Sequence, residues 1–227
     1  MVSATDILSG ISGISWIITY ASIIYRGVKD QSYGMPLGAL LFNLCWELTN
    51  AFIFRPSAID AQIIYILWFL MDCGILFTFL KFGYKYWSPY GISIFEFYSF
   101  ALVGFTLSML ANIEGMLFFS QFDGFFDTSK DEASGFLAFL DNAIMSILFV
   151  AMFYTRGNTD GQTIYVAIAK FIGTSLSVGV SYIFLEHPGN WEFISILVAT
   201  CFLFDAYYIV ILYQKLVKEE KNVWTRF

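Results

Sequence analysis

Residues 59–82 read IDAQIIYILWFLMDCGILFTFLKF, and between Asp60 and Lys81 this stretch contains one charged residue, Asp72. A helix that crosses the hydrocarbon core of a bilayer, about 30 Å thick, needs about 20 predominantly apolar residues. The stretch therefore predicts a transmembrane helix. A carboxylate in the middle of such a helix is costly, and its presence indicates a functional site.

The whole chain has the same apolar character. Of its 227 residues 58% are hydrophobic and only 13% are charged, with a mean hydropathy of +0.68. Soluble domains carry about 25% charged residues, so most of this surface is predicted to face lipid. The sequence has no basic patch that would indicate a nucleic-acid partner.

The apolar stretches predict an all-α integral membrane protein, a bundle of seven transmembrane helices that forms one domain over residues 1–227. Its oligomeric state is left open. The predicted crossings are residues 7–25, 35–54, 59–82, 92–119, 135–154, 162–185 and 191–216.

Basic residues predict the orientation of this bundle. One side carries nine of them: Arg26, Lys29, Lys81, Lys85, Arg156, Lys215, Lys218, Lys221 and Arg226. The other side carries two, Arg55 and Lys130, and the acidic loop 120–134. Because cytoplasmic loops are enriched in Lys and Arg, we predict an outer amino terminus and a cytoplasmic carboxyl terminus. The multi-pass protein would lie in the endoplasmic reticulum of a fungus or the plasma membrane of a bacterium.

Metal and cofactor motifs are missing from the sequence. His187 is the only histidine, and Cys45, Cys73 and Cys201 are scattered through apolar stretches, where they predict packing rather than a disulfide or a metal site. There is no DDxxD, DxDD, Walker, GxGxxG or HExxH motif. We therefore expect neither a metal nor a cofactor.

Ionisable residues inside the predicted spans are the strongest functional signal. They are Glu47, Asp72, Glu96, Glu114, Asp141, Lys170 and Asp205. A charged group near the bilayer centre costs about 2.5–3.5 kcal/mol, so several of these residues must face an internal cavity or a partner. Glu96 is near enough to a helix end to reach the interface, and Lys170 is predicted to pair with a deep acid.

On the second predicted helix Asn43, Glu47 and Asn50 form one polar stripe, in which the two amides are expected to hold the carboxyl group. Trp68 lies one turn before Asp72. Burial favours the neutral form of a carboxyl group, which makes it a candidate general acid, and aromatic faces can stabilise a cation. These features suit carbocation chemistry, although a structural polar latch between helices explains the acids as well.

Several stretches also resemble a known family. They are Tyr33-Gly34-Met35-Pro36, residues 43–47 (NLCWE), 68–72 (WFLMD), 81–83, 87–89, 146–149, 156–157, 161–162, 173–174 and 204–207. In this order they resemble the small seven-helix membrane terpene cyclases of fungal meroterpenoid and indole-diterpene pathways, the paxilline-cyclase type, which have bacterial relatives. The acidic loop 120–134 matches no part of that pattern.

The resemblance implies a terpene cyclase, of isomerase or lyase type in terpenoid secondary metabolism, that protonates an epoxide or alkene. The implied substrate is a lipophilic farnesyl- or geranylgeranyl-bearing meroterpenoid. The two acids that the family requires fall on Glu47 and Asp205, with Glu47 favoured as the donor. Supporting pocket residues are expected to be Asn43, Trp46, Asn50, Trp68, Asp72 and Asp141. The alternatives are a seven-helix transporter or receptor for a lipophilic or cationic ligand, and a scaffold of a biosynthetic complex.

Overall fold

A computed structural model describes residues 3–121, 130–186 and 192–227 of the chain. These residues form long helices that lie side by side: α1 (Ala4–Lys29), α2 (Leu37–Leu48), α3 (Ile59–Phe82), the short α4 (Tyr84–Trp87), α5 (Ile94–Phe119), α6 (Lys130–Arg156), α7 (Ile164–Phe171) and α8 (Glu192–Lys218). Residues 122–129 and 187–191, and with them His187 and most of the acidic loop, lie outside the described residues.

Six helical segments in the described part of the chain are long and apolar enough to cross a membrane, so the protein is a helical integral membrane protein. They are α1, α3, α5, α6, residues Ile164–Leu185 and residues Phe193–Lys218. The second predicted crossing corresponds to a shorter apolar helix, Leu37–Ile53. The count of seven crossings therefore depends on this short helix.

The helix that contains the predicted crossing 135–154, α6, begins five residues earlier, at Lys130. Asp131 and Glu132 were assigned to the preceding loop, but they form the first turn of α6. Carboxylates are favourable there because the first turn of a helix carries unpaired N–H groups and a partial positive charge.

Glu96 lies near a helix end, as the sequence predicts. It is exposed in the first turn of α5, where its Oε2 accepts hydrogen bonds from the N–H of Ser93 at 2.7 Å and from its hydroxyl group at 2.6 Å. The Ser93 hydroxyl oxygen in turn accepts the N–H of Glu96 at 3.2 Å. This reciprocal cap fixes the start of α5.

Two of the helices, α2 and α7, continue from α into π geometry. The chain forms a π-helical turn at Thr49–Ile53, directly after α2, and two more at Ile172–Val178 and Ser181–Glu186, after α7. A π turn widens the helix and changes the direction of the side chains that follow it. Sequence periodicity gives no sign of these turns.

The helices pack so that α2 lies in the interior. It contacts α3, α5 and α6, while α1 packs against α3 and α7, and α8 against α6 and α7. Cys45 on α2 and Cys201 on α8 are buried, as expected, and all three cysteines are free. Cys73 is exposed, contrary to the prediction that it packs inside, because it follows Asp72 on α3 and faces away from the bundle.

The end of the bundle that carries the basic loops is closed by contacts between distant segments. Gly161 has φ of +74°, and a Cβ atom there would lie 2.6 Å from the carbonyl oxygen of Tyr33. Arg226 donates to Asp30 at 2.5 Å, and the ring of Phe227 lies between Tyr25 and Tyr165. The loops 30–36 and 157–163 and the segment 221–227 are therefore held together.

Candidate active site

A cavity of about 310 Å³ lies at the opposite end of the bundle from the basic loops. The first halves of α1, α3 and α6, the second half of α2 and the π turns after α7 surround it. Seven of its lining residues are aromatic. The lining residues are Ser9, Ser12, Gly13, Trp16, Tyr20, Asn43, Trp46, Glu47, Ala61, Ile64, Tyr65, Trp68, Gly135, Ala138, Phe139, Asn142, Val178 and Tyr182.

At the deep end of this cavity Glu47 belongs to a hydrogen-bonded cluster from three helices. The Tyr20 hydroxyl donates to Glu47 Oε1 at 2.8 Å, and Asn43 Nδ2 donates to the same oxygen at 3.0 Å. Asn43 Nδ2 also lies 2.8 Å from Asp72 Oδ2 and 2.6 Å from the Tyr20 oxygen. Glu47, Asp72 and Tyr20 are almost completely buried. The amide of Asn43 thus joins two carboxyl groups from neighbouring helices.

The two oxygens of Glu47 differ in their surroundings. Oε1 accepts hydrogen bonds from Tyr20 and Asn43, whereas Oε2 is buried and has no partner among the described residues. A neutral carboxyl group has one oxygen that only accepts and one that carries the proton. The hydrogen bonds occupy Oε1, which leaves Oε2 available to carry the acidic proton when Glu47 is neutral.

The predicted role of Asn50 is wrong in one respect. Its Nδ2 donates to the carbonyl oxygen of Trp46 at 2.8 Å instead of holding the Glu47 carboxyl. The π turn that begins at Thr49 changes the helical register, so the i, i+4, i+7 stripe ends at Glu47. Asn50 is buried outside the cavity lining.

Asp205 belongs to a second cluster, separate from Glu47. Lys170 Nζ lies 2.8 and 2.9 Å from the two carboxylate oxygens of Asp205 and donates to the Ser146 hydroxyl at 2.6 Å. The side chains of Lys170 and Asp205 are each only 2% exposed. The ion pair predicted for Lys170 is therefore confirmed, and Asp205 is not among the residues that line the cavity.

Of the other predicted pocket residues, two line the cavity and two do not. Trp46 and Trp68 line the cavity, and the Trp46 indole donates to the carbonyl oxygen of Ser134 at 3.0 Å. Asp72 lies directly behind Asn43, outside the lining. Asp141 is buried, also outside the lining, and its Oδ1 has no partner among the described residues. Glu114 is exposed on α5, away from both clusters.

Tyr20, which bonds Glu47, is the most important of the cavity residues that sequence reasoning missed. It is 2% exposed, packs its ring 5.3 Å from that of Trp16, and donates the hydrogen bond that orients Glu47. Tyrosine is common in membrane helices and costs little there, so nothing in its local sequence distinguishes it. The sequence feature that could have identified Tyr20 is its spacing, because Ser12, Trp16 and Tyr20 recur every four residues and therefore share one face of α1.

In the described ranges no three His, Cys, Asp or Glu side chains come together in an arrangement that could hold a metal ion. The expectation that no metal or cofactor takes part stays a prediction. What the cavity offers chemically is an acid on Glu47, oriented by two hydrogen bonds and surrounded by aromatic rings.

Comparison with known proteins identifies relatives that are terpene cyclases. The Pyr4-family terpene cyclase mfmH of Annulohypoxylon moriforme is 33% identical over 185 residues, which cover 79% of this chain and 69% of that protein. The terpene cyclases ptmB of Penicillium ochrochloron and atmB of Aspergillus flavus are 25% identical over 167 and 169 residues, which cover 74% of this chain and 65% of each relative. The chain thus spans about two thirds of the length of these relatives.

No solved structure matches the chain. The profile of one family, the Pyr4-like transmembrane terpene cyclases, matches residues 1–217. This match covers nearly the whole sequence and confirms the resemblance to paxilline-type cyclases. The chain belongs to the Pyr4-like transmembrane terpene cyclases.

Proposed function

We propose that this terpene cyclase protonates the terminal epoxide or alkene of a lipophilic farnesyl- or geranylgeranyl-bearing substrate and guides the resulting carbocation through ring closure. The observation that carries the proposal is the arrangement of Glu47. One of its oxygens accepts two hydrogen bonds, and the other, without a partner among the described residues, belongs to a side chain that lines the aromatic cavity.

In this reaction the Glu47 proton moves to the substrate and leaves a carboxylate. The Tyr20 and Asn43 hydrogen bonds to Oε1 stabilise that carboxylate, since hydrogen bonds to a charged acceptor are stronger than those to a neutral one. The rings of Trp16, Tyr65 and Trp68 line the same cavity, and their faces stabilise the cation. Loss of a proton from the final cation completes an isomerisation with no net gain or loss of atoms.

Asp72 and Asp205 have different roles in this proposal. Asp72 shares Asn43 with Glu47 and therefore sets the orientation of the donor. Asp205, which the family resemblance marks as essential, acts through Lys170. The ion pair joins α7 to α8, and the Lys170 bond to Ser146 adds α6. We assign Asp205 a positioning role, because it lies outside the cavity lining.

The same proposal includes seven crossings in one domain, with the amino terminus outside and the carboxyl terminus in the cytoplasm. The Leu37–Ile53 helix then crosses the membrane at about 1.5 Å per residue, near the lower limit of length for a span. The cavity lies in the outer half of the membrane, and the substrate reaches it from the lipid. In a fungal host the membrane is that of the endoplasmic reticulum.

The experiment is Glu47→Gln, assayed with the terminal epoxide of a farnesylated phenol. General acid catalysis contributes about 10²–10⁴-fold, so turnover should fall by at least 100-fold. Loss of one interhelical hydrogen bond in a membrane costs about 0.6–2 kcal/mol, so the variant should still fold. Glu96→Gln is the matched control and should keep wild-type turnover, because Glu96 is an exposed helix cap.

Substantial turnover by a folded Glu47→Gln protein would contradict the assignment of the donor. A second arm adds EDTA to the wild-type assay. Turnover that EDTA abolishes and magnesium restores would overturn the metal-free mechanism.

A further inference from the structure

Trp68 carries a second hydrogen-bond donor that the fold leaves unused. Its indole Nε1 is buried and has no acceptor among the described residues, and the side chain lines the same cavity as Glu47. An indole nitrogen can only donate, and a buried Trp N–H normally finds a partner. Trp46, on the wall of the same cavity, follows that rule by donating to the carbonyl oxygen of Ser134.

The position of Trp68 ties it to the acid. Trp68 precedes Asp72 by four residues on α3, so the two side chains share one face of the helix. Asp72 accepts a hydrogen bond from Asn43, which also bonds Glu47. Trp68 therefore lies one helical turn from the cluster that holds the proton donor.

Two fully buried polar atoms of residues that line this cavity have no partner among the described residues: Oε2 of Glu47, which can carry the proton of the neutral acid, and the indole Nε1 of Trp68. Both are donors, and an alkene carbon offers no lone pair to either. An oxygen atom with two lone pairs can accept both hydrogen bonds at once. The chemistry of the cavity therefore matches an oxygen at the end of the substrate that reacts.

We propose that the Trp68 indole N–H is the second hydrogen-bond donor to the substrate oxygen that Glu47 protonates. This inference rests on the proposed function and adds a catalytic residue to it. The proton of Glu47 moves to the epoxide oxygen, and the bond between that oxygen and the more substituted carbon breaks. Its electron pair stays on the oxygen, which becomes a hydroxyl group, and the carbon becomes the cation that the next alkene attacks.

The Trp68 N–H would act on the epoxide oxygen, where electron density rises during the reaction. As the carbon–oxygen bond breaks, electron density rises on the oxygen, and a fixed donor stabilises it more in the transition state than in the bound substrate. A site with buried donors also discriminates against an analogue that lacks the acceptor. Trp68 therefore favours an epoxide over the corresponding alkene.

The first test replaces Trp68 by Phe, which keeps an aromatic ring and removes the N–H. With the terminal epoxide of a farnesylated phenol, kcat should fall about tenfold, which is the contribution of about one neutral hydrogen bond, and KM should change little. Trp224→Phe is the control, since this residue is exposed at the opposite end of the bundle, and its kcat should match the wild type.

A second test follows the indole N–H signals of the ¹⁵N-labelled wild-type protein by NMR, so it depends neither on turnover nor on the folding of a variant. The probe is a dimethylamine N-oxide of a farnesylated phenol, which presents a stable oxygen acceptor. The Trp68 signal should shift with the N-oxide and stay unshifted with the hydrocarbon analogue, while the Trp46 signal, already bonded to Ser134, should shift less.

The outcomes separate the two proposals. A folded Trp68→Phe protein with wild-type kcat, beside an inactive Glu47→Gln protein, overturns the role of Trp68 and keeps the proposed function. A Trp68 signal that stays unshifted while Trp16 and Trp46 respond overturns it as well. If the N-oxide shifts no cavity indole and Glu47→Gln stays active, the proposed function itself fails.

Discussion

The buried ion pair between Lys170 and Asp205 allows a quantitative prediction. The two side chains are each 2% exposed and their charged atoms lie 2.8 Å apart. Removal of one partner leaves the other charge buried and unpaired, which typically costs about 3–5 kcal/mol. Asp205→Leu and Lys170→Met should each destabilise the protein by that amount. For a chain of this size 1 kcal/mol corresponds to about 2–4 °C, so Tm should fall by about 6–20 °C.

The double variant Lys170→Met/Asp205→Leu should behave differently. It leaves no unpaired charge, and replacement of a whole buried ion pair by apolar side chains is often neutral. Its Tm should therefore lie within a few degrees of the wild type. The assay is thermal unfolding in detergent at neutral pH, followed by tryptophan fluorescence, with Lys85→Met as the control because Lys85 is exposed.

Two results would refute this reasoning. One is a single variant with the Tm of the wild type, and the other is a double variant whose Tm is as low as that of the less stable single variant. Turnover of the double variant then tests the role of Asp205. If Asp205 acts only through Lys170, a stable double variant should retain activity. A stable but inactive double variant would show that the carboxyl group itself takes part in the chemistry.

Two further predictions concern the ends of the bundle. Reporters fused within residues 120–134 and after the last residue should localise to opposite sides of the membrane, and two cytoplasmic signals would contradict the proposed topology. At the basic end burial raises the pKa of Asp30. The net pKa nevertheless lies below the ordinary value, because Asp30 accepts hydrogen bonds from Arg26 and Gly161 and lies near the charges of Arg226 and Arg26. This stabilisation is present above the unfolded pKa of about 3.9 and is lost as the pH falls through the lowered folded value. Asp30→Asn should therefore lower Tm at pH about 7, and the difference should shrink as the pH falls below about 3.9; a difference that stays constant would contradict the assignment.

The sequence predicted the membrane helices well because apolar length decides them. The prediction for residues 59–82 has the bounds of α3, and α5 begins two residues after its predicted start at 92. A buried ammonium group needs a counter-ion, so the sequence predicted that Lys170 pairs with a deep acid. It could not predict which acid. That this acid is Asp205 follows from the packing of α7 on α8.

The details of the site depend on contacts that local patterns do not encode. The spacing of polar residues on α2 correctly predicted that Asn43 bonds Glu47. It failed for Asn50, because the π turn changes the direction of that side chain. Tyr20 joined the cluster only because α1, which packs against α3 and α7, places the Tyr20 hydroxyl at the depth of Glu47. The catalytic roles of Glu47 and Asp205 remain predictions, since geometry shows where a proton can go and not whether it moves.

The pairing of deep polar residues has a consequence for how the protein enters the membrane. Lys170 and Asp205 lie on helices that follow one another in the chain, and so do Asn43 and Asp72. A helix that inserts alone carries the full cost of its own polar group, about 2.5–3.5 kcal/mol for an acid or lysine near its centre. Two consecutive helices that insert together as a hairpin can pair their polar groups during synthesis, which lowers this cost. With α2 as the proposed seventh crossing, these pairs favour stepwise assembly in which α2 enters the membrane with α3, and α7 with α8.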